Sequence, residues 1–330
     1  MPRATFDIPI GLEINPDAGR AMTYNLHWMR RFGLISDGSA ERRYLENQVA
    51  DAVAFYFPYG SGDYLDLCCD ILGWFFVFDD QFDTGGFDTA AENTIVALEA
   101  LTEGAAASCP SPLVHGFRDC WLRSTRNMSA AWRRRARISW TQYFASYRSE
   151  AVDRLIGSVL SPEDLLLVRR KSVGTETLYD LAELSCGEVP PLVWHSSLVH
   201  SIRNLVTDII IGVQDVYSLD KEIGSEARLS NLVVALATDR AISLDDAVRL
   251  VVDRAGEQCR ALLELTGKVP RLSRSLGLSE AESDTVARYL GALLAFTRGN
   301  YEWHRFAGRY RSAEPLALQN HFAPKPDARR

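Results

Sequence analysis

Strand signals are scarce in this chain: no regular alternation of apolar and polar residues between turn dipeptides recurs along its 330 residues. A sheet is therefore not expected. No stretch rich in proline, glycine and serine divides the chain, so nothing marks a second domain, although the length would allow one. No segment repeats with a period of roughly 20–50 residues, which argues against a solenoid. No apolar run approaches the roughly 18 residues that a membrane span needs; Leu205 to Val213 is short and is interrupted by Thr207 and Asp208. An apolar leader is missing from Met1-Pro2-Arg3-Ala4-Thr5-Phe6-Asp7. A cytoplasmic location without stable membrane insertion is the expectation. The six cysteines, Cys68, Cys69, Cys109, Cys120, Cys186 and Cys259, form no CxxC pair, which points to reduced thiols. Positive charge is not in excess. The net charge of −7 argues against nucleic acid as a partner, while leaving room for a local basic site that takes a small anion.

What recurs instead is the 3.6-residue period of amphipathic helices. It predicts helices over Asp17–Phe32, Ala40–Phe57, Tyr64–Asp80, Thr89–Leu101, Leu113–Arg123, Ala130–Ala151, Pro162–Leu184, Leu192–Ile223, Leu244–Thr266 and Glu280–Phe306. Ser161 before Pro162 reads as an N-cap followed by proline at the first helical position, and Ser243 before Leu244-Asp245-Asp246 as a second N-cap. The fold class is all-α, a single helical bundle over residues 1–311, with residues 312–330 expected to be a mobile tail.

Two polar clusters end apolar helices. The first is Phe78-Asp79-Asp80-Gln81-Phe82-Asp83, after Ile71-Leu72-Gly73-Trp74-Phe75-Phe76-Val77. Carboxylates beside apolar core are costly unless something neutralises them. Asp79 and Asp83 are i and i+4, on one helical face, which suggests a divalent cation in an apolar cavity. The second cluster lies within Gln214–Glu222, where Gln214, Ser218 and Glu222 stack at i, i+4 and i+8. An amide, a hydroxyl and a carboxylate form a hard-cation site of low charge, suited to Mg²⁺ that keeps several waters and shares phosphate oxygens. His195 and His200 are five apart, which is not ligand spacing on a helix, so zinc has no support. Basic residues accompany the acids. Lys221 sits inside the second cluster, and Arg170 lies 44 residues upstream of Gln214, near Gly174. That glycine costs a helix about 1 kcal/mol relative to alanine and suggests a break facing a cavity. Arg309-Tyr310 follow Tyr301-Glu302-Trp303, and together they can donate to phosphate oxygens. Arg133-Arg134-Arg135 reads as a solvated face or a local ion-pair site.

With these motifs in this order, the chain resembles a bacterial class I terpene synthase (terpene cyclase) over essentially its whole length. Asp79, Asp80 and Asp83 fit the DDxxD motif. Asp215, Ser218 and Glu222 fit the second metal motif, (N/D)DxxSxxxE, with Gln214 at its first position. Arg170 fits the diphosphate-sensing arginine, Gly174 the effector glycine at a helix break, and Arg309-Tyr310 the terminal RY pair. Val173 stands where the family often carries a polar linker residue. The resemblance implies three Mg²⁺ ions. Asp79 would bridge two of them with Asp83 as helper, and Gln214, Ser218 and Glu222 would hold the third. Asp80 would pair with Arg309 on closure, and Arg170, Lys221, Arg309 and Tyr310 would grip diphosphate. It also allows a homodimer. Phe75, Phe76 and Trp303, with Leu72 on the same face, are candidates to line the cavity and stabilise a carbocation, and they read equally as plain core.

The implied reaction is ionisation and cyclisation of a linear isoprenyl diphosphate, by default the C15 farnesyl diphosphate. A C20 substrate is the alternative, and an isoprenyl diphosphate synthase or an inactive isoprenoid-binding protein stands further off. Glutamine at 214 is one methylene longer than the usual asparagine, and Mg²⁺ ligands must sit near ~2.0–2.1 Å. Gln214 therefore ligates after local adjustment, weakens its ion, or marks a low-activity chain.

Overall fold

The computed structural model describes residues 4–36, 38–84, 87–105 and 109–310, excepting the side chains of 83, 84, 226 and 310. Among the described residues there are fifteen α-helices and no strand, as the all-α expectation requires. They are α1 (Ala18–Arg31), α2 (Gly38–Glu46), α3 (Val49–Tyr56), α4 (Gly62–Thr84), α5 (Thr89–Thr102), α6 (Pro112–Thr125), α7 (Ala130–Ile156) and α8 (Pro162–Ser172). Then come α9 (Thr175–Cys186), α10 (Pro191–Trp194), α11 (Ser197–Glu222), α12 (Leu232–Arg240), α13 (Leu244–Thr266), α14 (Val269–Ser275) and α15 (Glu280–His304), with a 3₁₀ turn over Gly308–Tyr310. The expected tail, 312–330, lies outside the described residues.

Both predicted caps form. Ser161 Oγ accepts from the Asp164 N–H and Ser243 Oγ from the Asp246 N–H, each at 3.1 Å; such caps contribute about 1 kcal/mol apiece. Three expected helices are divided. Ala40–Phe57 breaks where Gln48 takes φ 51°, and the carbonyls of Asn47 and Gln48 accept from Trp303 Nε1 at 3.1 and 3.2 Å. Pro162–Leu184 breaks at Gly174 (φ 72°). Leu192–Ile223 breaks before Ser196, whose hydroxyl caps α11 by accepting from the Val199 N–H. Helices α12 and α14 are additional. Both are short, and Pro270 stands at the first turn of the second.

Helix α4 packs between α1, α3 and α6, while α15 packs on α3, α9 and α11. The fully buried Trp74 anchors α4. Its indole stacks on Phe78 at 4.7 Å, meets Phe117, Trp140 and Phe144, and donates Nε1–H to the Leu113 carbonyl at 2.9 Å. The α15–α3 contact depends on Gly299, where a Cβ would collide with the Phe55 carbonyl. Arg135 of the basic run is an ion-pair residue. It forks onto Glu183 at 3.0 and 3.1 Å and covers the Trp194 ring at 3.7 Å. All six cysteines are free of disulfides. No helix among the described residues is long and apolar enough to cross a membrane.

Candidate active site

One cavity of about 1210 Å³, counting its open mouth, lies between α4, α7, α8–α9, α11 and α15. Its deeper wall is apolar and aromatic, with Leu72, Phe75, Phe76, Leu178, Ile210 and Phe296. Its mouth is charged, with Asp79, Glu150, Arg169, Lys221, Glu222 and Arg309. The C-terminal turns of α4, α7 and α11 converge there. Their macrodipoles add negative potential where the carboxylates gather, which favours cations.

On the α4 side, Asp79 Oδ1 accepts from the Tyr147 hydroxyl at 3.1 Å, and Asp79 Oδ2 from Arg309 Nη2 at 2.8 Å. The same guanidinium reaches Asp80 Oδ1 at 2.6 Å and lies 5.2 Å over the Phe76 ring. The side chain of Asp79 is 45% exposed, against 11% for Asp80 and 7% for Arg309. Asp79 is thus the acid open to an incoming cation, while Asp80 is locked to Arg309 from below. The expected Asp80–Arg309 juxtaposition is present, and Arg309 additionally bridges Asp79. Asp83 follows one turn on in α4, and Tyr310 ends the 3₁₀ turn; the side chains of both lie outside the described residues.

On the α11 side, Gln214 and Glu222 face the cavity, and Lys221 lies at its mouth. Ser218 is buried between them with its Oγ lacking any hydrogen-bond partner. Glu222 Oε2 accepts from Asn231 Nδ2 at 2.9 Å. Burial, with repulsion from Asp215 second, pushes Glu222 up to about 7. A spare hydroxyl, an amide and a carboxylate whose charge is disfavoured fit a hard divalent cation. Among the described residues no three His, Cys, Asp or Glu side chains cluster as a metal site. Asp215 faces away, as its helical position demands, and is held by Arg169 Nη2 and by the Leu232 N–H, each at 2.7 Å.

The arginine assignment needs correction. Arg170 is not at the cavity. Its Nε and Nη2 fork onto Asp208 at 2.7 and 2.8 Å, and Gln258 joins from α13. Arg169 lines the cavity instead, with a buried Nε–H that has no acceptor. Counting back one helical turn from Gly174 selected the wrong neighbour, because α8 ends at Ser172 and Gly174 is left-handed. Adjacent helical residues point about 100° apart, so one step moves the guanidinium from α11's outer side to the cavity. Gly174 itself lies on the wall, its carbonyl accepting from Thr177 Oγ1 at 2.7 Å. A Cβ there would come within 3.1 Å of Phe75 and 3.2 Å of Tyr143.

Phe75, Phe76 and Trp303 all line the cavity. Phe76 stacks on Trp303 (5.4 Å, 17°) and Phe75 on Trp140 (5.1 Å, 15°), so their faces are fixed by packing. Several lining residues escaped the sequence reading. Tyr143, Tyr147, Glu150 and Arg154 form one stripe of α7 at i, i+4, i+7 and i+11, a pattern that a helical wheel reveals. The Tyr143 and Tyr147 hydroxyls sit 2.7 Å apart. Asn300 and His304 sit at i and i+4 on α15. His304 Nδ1 is 2.7 Å from the Asn300 carbonyl, so this nitrogen carries the proton and donates it. Burial drives His304 down to about 4 and keeps the ring neutral.

Residues 70–261 match the family model described as terpene synthase family 2, C-terminal metal binding. The R-linalool synthase of Streptomyces clavuligerus is 36% identical, over 97% of this chain and 98% of that protein. A pentalenene synthase of Streptomyces avermitilis is 33% identical, over 94% of each. Among solved structures, linalool/nerolidol synthase from Streptomyces clavuligerus superposes with a TM-score of 0.84 at 36% identity, covering 91% of this chain and all of that one. Germacradien-4-ol synthase from Streptomyces citricolor superposes with a TM-score of 0.81 at 28% identity, covering 91% and 98%.

Proposed function

The chain belongs to the bacterial class I terpene synthases, and from that premise we propose that it ionises and cyclises farnesyl diphosphate with release of diphosphate. The observation that carries this reading is the division of one cavity. Asp79 on α4 and Gln214 and Glu222 on α11 line one cavity with the side chains of Arg169, Lys221 and Arg309, and Leu72, Phe75, Phe76, Leu178, Ile210 and Phe296 line it too. Asp79, with Asp83 beside it, and the trio Gln214, Ser218 and Glu222 are the residues that would hold the metal. Three Mg²⁺ ions and a homodimer are taken over from the family resemblance, and a cytoplasmic location from the sequence expectation. Bound there, Mg²⁺ would act as a Lewis acid that stabilises the departing diphosphate.

The chain's own groups do the rest. Arg169, Lys221 and Arg309 supply N–H donors to the diphosphate oxygens as charge builds on them. Tyr147 orients Asp79. When the allylic C–O bond breaks, its electron pair leaves with diphosphate and the cation remains in the apolar half of the cavity. There Phe75 and Trp303 line the cavity; an aromatic face open to a desolvated cation is worth about 0.5–2 kcal/mol, and the surrounding side chains exclude bulk water.

Product analysis with C10, C15 and C20 diphosphates in parallel, each with Mg²⁺, tests the reading. Cyclic terpene formed preferentially from the C15 substrate is the expected result. Preference for C20 would make the chain a diterpene cyclase. A longer diphosphate formed only with isopentenyl diphosphate would make it a prenyl chain-elongating enzyme, and unchanged bound substrate would make it a binding protein.

A further inference from the structure

A polar amide, Asn300, interrupts the apolar part of the cavity lining. Asn300 projects from α15 one turn after Phe296 and one turn before Trp303 and His304, and all four line the cavity. It is 6% exposed. Its Nδ2 donates to the Tyr56 hydroxyl at 3.1 Å, while its Oδ1 is buried with no hydrogen-bond partner. Tyr56 lines the same wall, its ring edge-on to Phe296 at 4.7 Å. Leaving an amide oxygen buried and unpaired costs about 1–3 kcal/mol. A leucine would fill this position without that cost, so packing alone does not explain the amide. The hydrocarbon chain of an isoprenoid offers it no donor. Water does, and a buried water is stable when it has about two to four polar partners. Here Asn300 Oδ1 accepts, and the Tyr56 oxygen provides a second point of attachment.

We propose that Asn300 and Tyr56 form a water-binding subsite in the hydrocarbon half of the cavity, and that water held there quenches the final cation to give a terpene alcohol. The proposal rests on the reading that the chain ionises an isoprenyl diphosphate. A water hydrogen-bonded to the amide oxygen keeps a lone pair directed into the cavity. That lone pair forms the new C–O bond to the cationic carbon. One O–H bond of the resulting oxonium breaks, and its proton passes to the released diphosphate, an anion already present from the first step. One water is consumed, one alcohol forms, and no oxidant or reductant is needed. Asn300 acts as a positioning residue for the nucleophile and sets the ratio of alcohol to hydrocarbon.

The test is turnover of farnesyl diphosphate with Mg²⁺ in H₂¹⁸O, with product mass analysis and diphosphate assay, corrected by an enzyme-free control. The wild-type protein is expected to give an alcohol carrying one ¹⁸O. In Asn300→Leu, and in the milder Tyr56→Phe, the alcohol-to-hydrocarbon ratio among the products formed is expected to fall at least tenfold. A merely structural role would lower yield without moving that ratio. Wild-type protein that releases diphosphate but yields only hydrocarbon overturns the proposal while sparing the reading beneath it. So does an unchanged ratio in either variant. Failure of the wild type to release diphosphate overturns both.

Discussion

Arg309 reaches Asp79 and Asp80 with one guanidinium and covers Phe76 with its face, so it ties the acidic end of α4 to the aromatic wall through a single side chain. Gln214, on α11, departs from the family pattern but keeps an amide that lines the cavity. We expect Gln214→Asn to retain turnover at moderate Mg²⁺ and Gln214→Ala to lose it; if both variants matched the wild type, Gln214 would have no part in holding metal. His304 gives a prediction in pH. Its pKa falls from 6.5 to about 4 on folding because the ring is buried. The unfolded chain therefore binds the proton first on acidification. The stability linked to His304 is complete above about pH 6.5 and is lost as pH falls towards 4, a change of about 3 kcal/mol. Chemical unfolding of the wild type and of His304→Gln across this window checks it. The variant's stability should fall less steeply, and parallel curves would contradict the assignment. At this scale much was legible. Asp79, Gln214 and Glu222 were readable from helical spacing, Lys221 and Gly174 from their neighbours in sequence, and the pairing of Asp80 with Arg309 from the family resemblance. Asn300 and His304 were not, since an amide and a ring in an aromatic helix read as satisfied core until their surroundings are known.

Helix ends explain what was legible among the elements and what was not. Gly174 announced its break, because glycine is costly inside a helix and only a left-handed residue fits there. Gln48 did not, since glutamine is a good helix former and its φ of 51° is imposed by tertiary contacts that include Trp303. The same break misdirected the choice between two adjacent arginines. We expect Arg169→Lys to cut turnover more than tenfold, because the guanidinium both anchors Asp215 and faces the cavity. Arg170→Lys should chiefly lower the melting temperature through its contact with Asp208. The reverse pattern in kinetics and thermal melts would restore Arg170 to the site. The junction of α11 with α12 carries a second consequence. Asn231 caps α12 and donates to both the Asp215 carbonyl (2.8 Å) and Glu222 Oε2 (2.9 Å). Residues that hold a metal ligand typically account for roughly 10–100-fold in affinity. Asn231→Leu should therefore raise the Mg²⁺ needed for inorganic diphosphate binding about tenfold, as read by calorimetry. An unchanged requirement would reduce Asn231 to a cap.

At the scale of the whole molecule, the helices of the described residues bring two chemically opposite sets of side chains to one cavity. Charged groups collect where α4, α7 and α11 end, and aromatic rings collect where α4, α7 and α15 pack. The mouth can stabilise an anion leaving with metal, while the interior can hold a hydrocarbon cation away from bulk water. The whole-molecule architecture was legible from periodicity and motif order, but the cavity's contour arises from side-chain packing across helices distant in sequence. The most direct test of the account is release of diphosphate from farnesyl diphosphate, followed in time with Mg²⁺ and after its removal by a chelator. The account predicts release with Mg²⁺, none after chelation, and recovery when Mg²⁺ is restored. Release that persists without divalent metal, or substrate returned intact with Mg²⁺ present, would contradict it.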